Sequence, residues 1–126
     1  MDILEEPSVP YKFEKLEVWK SSLELSDIVY LISDQLPSLE NFNLKSQILR
    51  AVTSISLNIA EGSTYASSAE QKRFIRIALH SLVEVIACLK IIERRDYLKN
   101  QELQIKSEDI TSRLFRMLIA YERSIH

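Results

Sequence analysis

Glycine and proline, the residues that most often interrupt regular structure, are almost absent from this chain of 126 residues. The only glycine is Gly62, and the three prolines are Pro7, Pro10 and Pro37. A β-fold needs frequent tight turns, and those turns depend on such residues. The sequence therefore predicts an all-α protein whose helices are interrupted near Pro37, near Gly62 and at one later polar stretch.

The length suits a single domain with one apolar core. Residues 1–12 carry two of the prolines and little periodicity, so they are predicted to be an N-terminal tail, and residues 13–126 the domain. The acidic start resembles no signal peptide, and no apolar run approaches the roughly 18 residues that span a bilayer. The single cysteine, Cys88, lies among apolar residues, which indicates a buried thiol in a cytoplasmic protein.

Apolar residues recur at helical spacing along four segments. The first helix is expected to begin near Phe13 or Glu14 and to end before Pro37, and the second to follow Asn43 and to stop at Gly62. The third follows two overlapping capping-box signals, and the fourth begins after Asn100. Helices of about 20 to 27 residues joined by short links predict an antiparallel, up-and-down four-helix bundle.

The predicted helix ends follow from local side-chain chemistry. Asn43 and Asn100 are expected to cap the second and fourth helices, and Ser67 the third through the pair Ser67-x-x-Glu70. Gly62 is interpreted as a helix stop just beyond the second helix, where glycine accepts a positive φ without a Cβ clash.

Polar residues form a stripe beside the apolar face of the second helix. Its members lie three or four positions apart and are Gln47, Arg50, Ser54, Asn58 and Glu61. The third helix offers Ser81 and Glu84, so the two stripes are predicted to meet in a network built on Asn58, Glu84 and Arg50, because unpaired buried polar groups are costly. The alternative is a solvated helix face.

The sequence lacks the usual catalytic and metal-binding patterns. No recognisable nucleophile accompanies Glu61 and Glu84. A di-iron bundle needs Glu-x-x-His motifs, whereas Ile77 and Arg123 precede the two histidines by three positions. No glycine-rich phosphate loop is present. The sequence therefore predicts no enzymatic activity, no cofactor, no metal and no small-molecule substrate.

A formal charge of −2 gives no general attraction to nucleic acid, so any such site must be a local patch. The candidate is a basic row on the third helix, in which Lys72, Arg76 and His80 are spaced by four and Arg73 lies beside them. The alternative is a solvated face balanced by neighbouring glutamates. Tyr65, in the loop after Gly62, is the candidate exposed aromatic residue.

Three segments resemble a known bacterial family of four helix bundle proteins, also called 23S ribosomal RNA intervening sequence proteins. They are Tyr11-Lys-Phe13-Glu-Lys-Leu16-Glu-Val-Trp19, the stretch from Ser46-Gln47-Ile48 to Asn58-Ile59-Ala60-Glu61-Gly62, and Phe74-x-Arg76-Ile-Ala78-x-x-Ser81-Leu82-x-Glu84. The resemblance covers residues 11–98 by motif and the last helix by pattern.

This resemblance implies an up-and-down bundle, a cyclic homo-oligomer with a pentamer favoured, and no known enzymatic activity. It also implies that Asn58 and Glu61 hold the second helix against the third. The accessory proteins of diversity-generating retroelements are similar and are associated with nucleic-acid binding, but they are strongly basic. Family members often carry an arginine after the glycine, where this chain has Ser63-Thr64-Tyr65-Ala66, and both differences count against RNA binding.

The expected function is therefore a cytoplasmic, non-enzymatic, homo-oligomeric scaffold or adaptor with RNA or a ribonucleoprotein as partner. The alternative is an accessory subunit that binds another protein and no nucleic acid.

Overall fold

The structure, a computed structural model, describes residues 11–64 and 67–126. Four helices make up most of it: α1 (Glu17–Ser33), α2 (Leu44–Gly62), α3 (Ser68–Arg94) and α4 (Glu102–Ser124). Two short 3-10 turns, Lys12–Lys15 and Ser38–Glu40, precede α1 and α2. The prediction of an all-α chain is confirmed. Residues 1–10 of the predicted tail and the candidate Tyr65 lie outside the described residues.

The helices form an up-and-down bundle. Each packs against the next in sequence, and α4 also packs against α1, while the backbones of the diagonal pairs, α1 with α3 and α2 with α4, do not approach closely. The α1/α2 side is therefore opposite the α3/α4 side. The links from α1 to α2 and from α3 to α4 lie at the same end of the bundle.

The core is built from the apolar positions that repeat at helical spacing. Fully buried side chains from all four helices meet in one cluster, which includes Leu25, Ile48, Ile55, Leu82 and Leu114. Burying a side chain of this size contributes about 1.5 to 3 kcal/mol, so this cluster stabilises the bundle. No helix in residues 11–64 or 67–126 is both long and apolar enough to cross a membrane.

The start of α1 differs from the prediction. Leu16 has an extended backbone (φ −75°, ψ 127°), which separates the 3-10 turn from a helix that begins at Glu17. The turn is held by aromatic contacts, because the Phe13 ring stacks on Tyr11 and meets Trp19 edge to face at 5.0 Å. Helix α1 consequently has 17 residues, fewer than predicted.

The predicted reason for glycine at position 62, a positive φ beyond the helix end, was wrong. Helix α2 does end there, but Gly62 is its last helical residue, and the described residues contain no glycine at positive φ. A Cβ atom on Gly62 would lie 3.0 Å from the Cβ of Phe74 and 3.6 Å from Cδ1 of Ile75. Glycine is needed here because α2 and α3 approach closely where the chain reverses direction.

The left-handed residue is found instead at the end of α3, where Asp96 has φ 57°. The amide of Asp96 donates to the Glu93 carbonyl at 3.0 Å, and that of Tyr97 donates to the Ile92 carbonyl at 3.4 Å. These two bonds form a Schellman motif, which satisfies carbonyl groups that the end of the helix would otherwise leave unpaired.

One of the three predicted N-caps forms, at Ser67, whereas the N-cap position of α4 is Gln101, one residue after the predicted Asn100. Ser67 Oγ accepts from the amide of Glu70 at 3.4 Å, and Asn100 Oδ1 accepts from the amide of Glu102 at 3.0 Å. Asn43 precedes α2 as predicted, but its side chain accepts no backbone amide. It is occupied by two side chains instead, since it donates to Glu40 and accepts from Gln47.

Candidate functional site

The predicted polar stripes meet between α2 and α3 at three residues. Ser81 Oγ donates to Ser54 Oγ at 2.9 Å, and Asn58 Nδ2 donates to the carbonyl and to Oγ of Ser54 at 2.8 and 3.0 Å. The link between the helices is therefore a pair of serine hydroxyl groups, which small side chains allow at a close helix contact. Among the described residues, Asn58 takes part only through Ser54 on its own helix.

Among the described residues, the charged members of the predicted network form no bonds with one another. Arg50, Glu61 and Glu84 are exposed, and none forms a side-chain hydrogen bond or ion pair with another described residue. Arg50 borders a groove between α1 and α2, whereas Glu84 borders a groove between α2 and α3. The predicted network of Arg50, Asn58 and Glu84 does not form within the chain, because Arg50 and Asn58 border the α1/α2 groove whereas Glu84 borders the α2/α3 groove. Gln47 bonds to Asn43.

A second serine pair links α1 to α2 and was not predicted. Ser22 is fully buried, and its hydroxyl lies 2.8 Å from Ser56 Oγ. The signal was present in the sequence, since Ser22 occupies a position between Val18 and Leu25 on the apolar face of α1. Paired serines thus stabilise two successive helix contacts.

The basic row lies on the exposed surface of α3. Its four side chains, with Ala69 and Ile77, border an open depression of about 430 Å³. Two of the four are paired with carboxylates: Arg73 with Glu70 at 3.2 Å and Arg76 with Glu122 of α4 at 3.0 Å. The pair Arg76 to Glu122 links two helices.

The other two members of the row are not paired with carboxylates of the described residues. Lys72 and His80 form no ion pair with any residue that the structure describes. Exposed ion pairs are weak and screened by salt, so phosphate groups can compete for Arg73 and Arg76. The row can therefore bind a polyanion in two ways. Lys72 and His80 have no ion pair to give up among the described residues, and phosphate groups can displace the carboxylates paired with the guanidinium groups of Arg73 and Arg76.

The link between α1 and α2 contains the most exposed large hydrophobic side chains in the described residues. Phe42 is 98% exposed and Leu39 is 75% exposed. Sequence reasoning missed them, although a phenylalanine between Asn41 and Asn43 in a polar link was a visible signal. Scattered exposed hydrophobics are common, but an aromatic side chain in full contact with water is not.

This link is held by a buried carboxylate, in an arrangement that we call the clasp (Glu40, Asn43 and Tyr97). Glu40 is only 4% exposed, and it accepts hydrogen bonds from Tyr97 Oη at 2.7 Å and from Asn43 Nδ2 at 3.0 Å. The bond from Tyr97 is the main cause that lowers the pKa of Glu40, and it also raises the pKa of Tyr97. Sequence reasoning did not find the clasp.

A groove between α3 and α4 has a volume of about 320 Å³. Its apolar surface comes from Ile86, Leu89 and Phe115, and charged Lys90 and Glu108 stand at its edge. Buried Gln104 donates to Glu108 at 2.8 Å and also to Glu93, and this bond from Gln104 is the main cause that lowers the pKa of Glu108.

Among the residues that the structure describes, no three histidine, cysteine, aspartate or glutamate side chains come together as metal ligands. Cys88 is buried, and its burial raises the pKa of the thiol, which disfavours the reactive thiolate. The absence of a cofactor and of enzymatic activity stays a prediction.

Comparison with known proteins connects this fold to one family. A crystal structure of a protein of unknown function, from the S23 ribosomal protein family of Bacteroides thetaiotaomicron, has a TM-score of 0.72 and 27% sequence identity to this chain. The match covers 83% of this chain and 97% of that one. No curated protein gives a significant match. The family model for 23S rRNA-intervening sequence proteins matches residues 14–120, and the chain therefore belongs to that family.

Proposed function

We propose that this protein is a non-enzymatic scaffold that assembles with copies of itself and binds RNA or a ribonucleoprotein through the basic row of α3. The observation that carries the proposal is the exposed charge of that row, where Lys72 has no carboxylate partner among the described residues and Arg76 has one exchangeable partner. The family description, which names 23S rRNA, supports RNA as the partner class.

Self-assembly is supported by apolar side chains on opposite sides of the bundle. Tyr30 and Leu57 are about half exposed beside the α1/α2 groove, and Phe115 is 38% exposed at the α3/α4 groove. Different surfaces on opposite sides suit head-to-tail contacts, which close into a ring when the rotation between neighbours allows it. The proposed assembly is a pentamer, following the resemblance to the family.

The RNA part is tested by fluorescence anisotropy with a labelled single-stranded RNA at several salt concentrations. Each phosphate contact contributes about −0.7 to the slope of log K against log salt. Lys72→Glu with Arg76→Glu should weaken binding and make that slope about 1.4 units shallower. The matched control is Lys20→Glu with Lys106→Glu, which changes the charge equally and also removes two surface ion pairs. Equal weakening by both double variants would contradict a site on α3.

The assembly part is tested by size-exclusion chromatography with light scattering, recording absorbance at the protein and nucleic-acid wavelengths. The proposal expects a five-subunit mass with nucleic acid that co-elutes at low salt. A monomer would contradict self-assembly, and a multimer that fails to bind RNA would contradict only the RNA part. A buried single cysteine fits the reducing cytoplasm as the site of action.

The second candidate is an accessory subunit that binds another protein. It is favoured by Leu31 on α1 and Ile105 on α4, which are 55% and 61% exposed and border neither groove. These side chains would stay in water in a ring built from the α1/α2 and α3/α4 sides. A clean protein multimer without bound RNA would favour this candidate.

A further inference from the structure

His80 stands at the end of the basic row of α3, and it is the one member of the row whose charge can change near neutral pH. It is exposed and borders the same depression as Lys72, Arg73 and Arg76. Lys72, Arg76 and His80 follow one another in steps of four residues, or about 6 Å along the helix axis per step. Lysine and arginine stay charged at neutral pH, whereas histidine gains or loses its charge between about pH 5 and 8. The row therefore has three fixed charges and one that a proton can add.

No described residue of α3 or α4 holds the imidazole of His80. It forms no side-chain hydrogen bond or ion pair within residues 11–64 and 67–126. Glu84, one turn further along α3, is exposed and is not paired with it. Helix α4 contributes Glu122 to the row, but that carboxylate is bonded to Arg76 at 3.0 Å. A protonated imidazole has two donors, and within the described part of the chain both are open to an anion.

Helix α2 brings no charged group to His80 among the described residues. It meets this part of α3 at an uncharged contact, the hydrogen bond between Ser81 and Ser54. The charged residues of α2 closest in sequence to Ser54 are Arg50 and Glu61, and both border the α1/α2 groove. The charge on His80 is therefore not compensated inside the chain, and its partner must come from outside.

A bound phosphate backbone would change how strongly His80 holds a proton. A nearby negative charge favours the charged form of a basic group, and a charge-assisted hydrogen bond to a phosphate oxygen favours it further. The coupling is reciprocal, so protonation of the imidazole must strengthen binding of the polyanion by the same factor.

From these observations we infer that polyanion binding at the basic row is linked to protonation of His80, so that the site binds RNA more tightly in mildly acidic than in mildly alkaline solution. Up to one proton passes from the buffer to the imidazole as the polyanion binds, and no other bond is made or broken. The inference rests on the proposed function for its binding site, the basic row, and is independent of self-assembly.

The linkage is tested by fluorescence anisotropy with labelled oligouridylate at pH 5.5 and 7.5 and equal salt, because uracil bases do not titrate in this range. Wild type should bind about three- to fivefold more tightly at pH 5.5, the effect of about one exposed ion pair. The slope of log K against log salt should be about 0.7 units steeper at that pH, one phosphate contact more. Equal affinity and equal slope at the two pH values would overturn the inference.

Three variants assign the effect to one side chain. His80→Gln is neutral at both pH values and should lose the pH dependence. His80→Lys is charged at both, and it should bind at pH 7.5 about as tightly as wild type at pH 5.5. The matched control is His126→Gln, at the only other histidine of the chain, which should keep the dependence of wild type. A pH dependence that survives in His80→Gln or disappears in His126→Gln would overturn the inference.

Long-chain inorganic polyphosphate, whose internal groups stay ionised, serves as a second probe and separates two kinds of failure. RNA binding with no effect of His80 would overturn the inference and leave the proposed function standing. Binding of polyphosphate that follows pH through His80, with no RNA bound at either pH, would support the inference and overturn RNA as the partner. Binding of neither probe would overturn both.

Discussion

Tyr97 Oη donates a 2.7 Å hydrogen bond to the buried carboxylate of Glu40, across 57 positions of sequence. This bond joins the α3 to α4 link to the α1 to α2 link at one end of the bundle. It adds to the hydrogen bond that this buried carboxylate accepts from the side chain of Asn43. The clasp is therefore the contact that fixes the position of Phe42.

Removing the tyrosine hydroxyl should loosen this end of the bundle. Tyr97→Phe leaves a buried carboxylate with one hydrogen bond fewer, so we expect the thermal midpoint to fall by a few degrees. The control is Tyr30→Phe, because Tyr30 is half exposed and its hydroxyl has no partner among the described residues. Equal midpoints for the two variants, measured by circular dichroism, would show that the clasp contributes nothing.

The clasp should also give stability a particular pH dependence. Because the folded pKa of Glu40 is lowered, mainly by the Tyr97 bond, its contribution is present above the unfolded pKa of about 4.3 and is lost as pH falls through the lower folded value. The folded pKa of Tyr97 is raised, so its contribution is present below about pH 10 and is lost as pH rises through the folded value.

The difference in unfolding free energy between wild type and Tyr97→Phe, from urea titrations at several pH values, isolates this contribution. Glu108 also has a lowered pKa, but it is present in both proteins and cancels in the difference. The difference should shrink on acidification below about pH 4. A constant difference from neutral to acid pH would contradict the assignment.

Gly62→Ala should destabilise the protein although alanine favours helices. The new Cβ would lie 3.0 Å from the Cβ of Phe74, which is fixed to the α3 backbone and cannot move alone. Overpacking of this kind costs about 1 to 3 kcal/mol, which exceeds the roughly 1 kcal/mol that alanine gains in propensity. Urea unfolding measures the net change in the free energy of unfolding. The control is Thr53→Ala at an exposed position of the same helix, which should change that free energy only slightly. Stabilisation by Gly62→Ala would contradict the close contact.

Asp96→Gly should stabilise the protein by about 0.5 to 1 kcal/mol. Asp96 has φ 57°, which costs a residue with a Cβ more than it costs glycine, and its negative charge lies at the C-terminal end of a helix dipole. Asp96→Ala separates the two causes, because alanine removes the charge but keeps the Cβ. Calorimetric midpoints should rank glycine above alanine, and the reverse order would contradict the left-handed backbone.

The serine bridge between α2 and α3 can be measured by a double-mutant cycle. Ser54→Ala and Ser81→Ala each remove one partner of a half-buried hydrogen bond, and the coupling free energy should be about 0.5 to 1.5 kcal/mol. Asn58→Leu should couple to Ser54→Ala but not to Ser81→Ala, since Asn58 bonds only within α2. Additive effects of the two serine substitutions would contradict the bridge.

The apolar spacing predicted the centres of the helices well, because positions such as Ile48, Ile55 and Leu82 can be buried only on one face. The ends of the helices were harder to predict from the sequence. The positive φ predicted for Gly62 is found at Asp96 instead, since the backbone angle at a helix end depends on where the next helix packs. The sequence also cannot show that Arg50 and Glu84 reach water on different grooves, or that Tyr97 meets Glu40.

The edge-to-face contact between Trp19 and Phe13 has an optical consequence. Trp19 is the only tryptophan in the chain, so its emission comes from a single place, the junction of the 3-10 turn with α1. Undocking of the turn would change the surroundings of the indole while the four helices stay folded. Fluorescence and far-ultraviolet circular dichroism, recorded on one sample, can therefore separate fraying of the first residues from unfolding of the bundle.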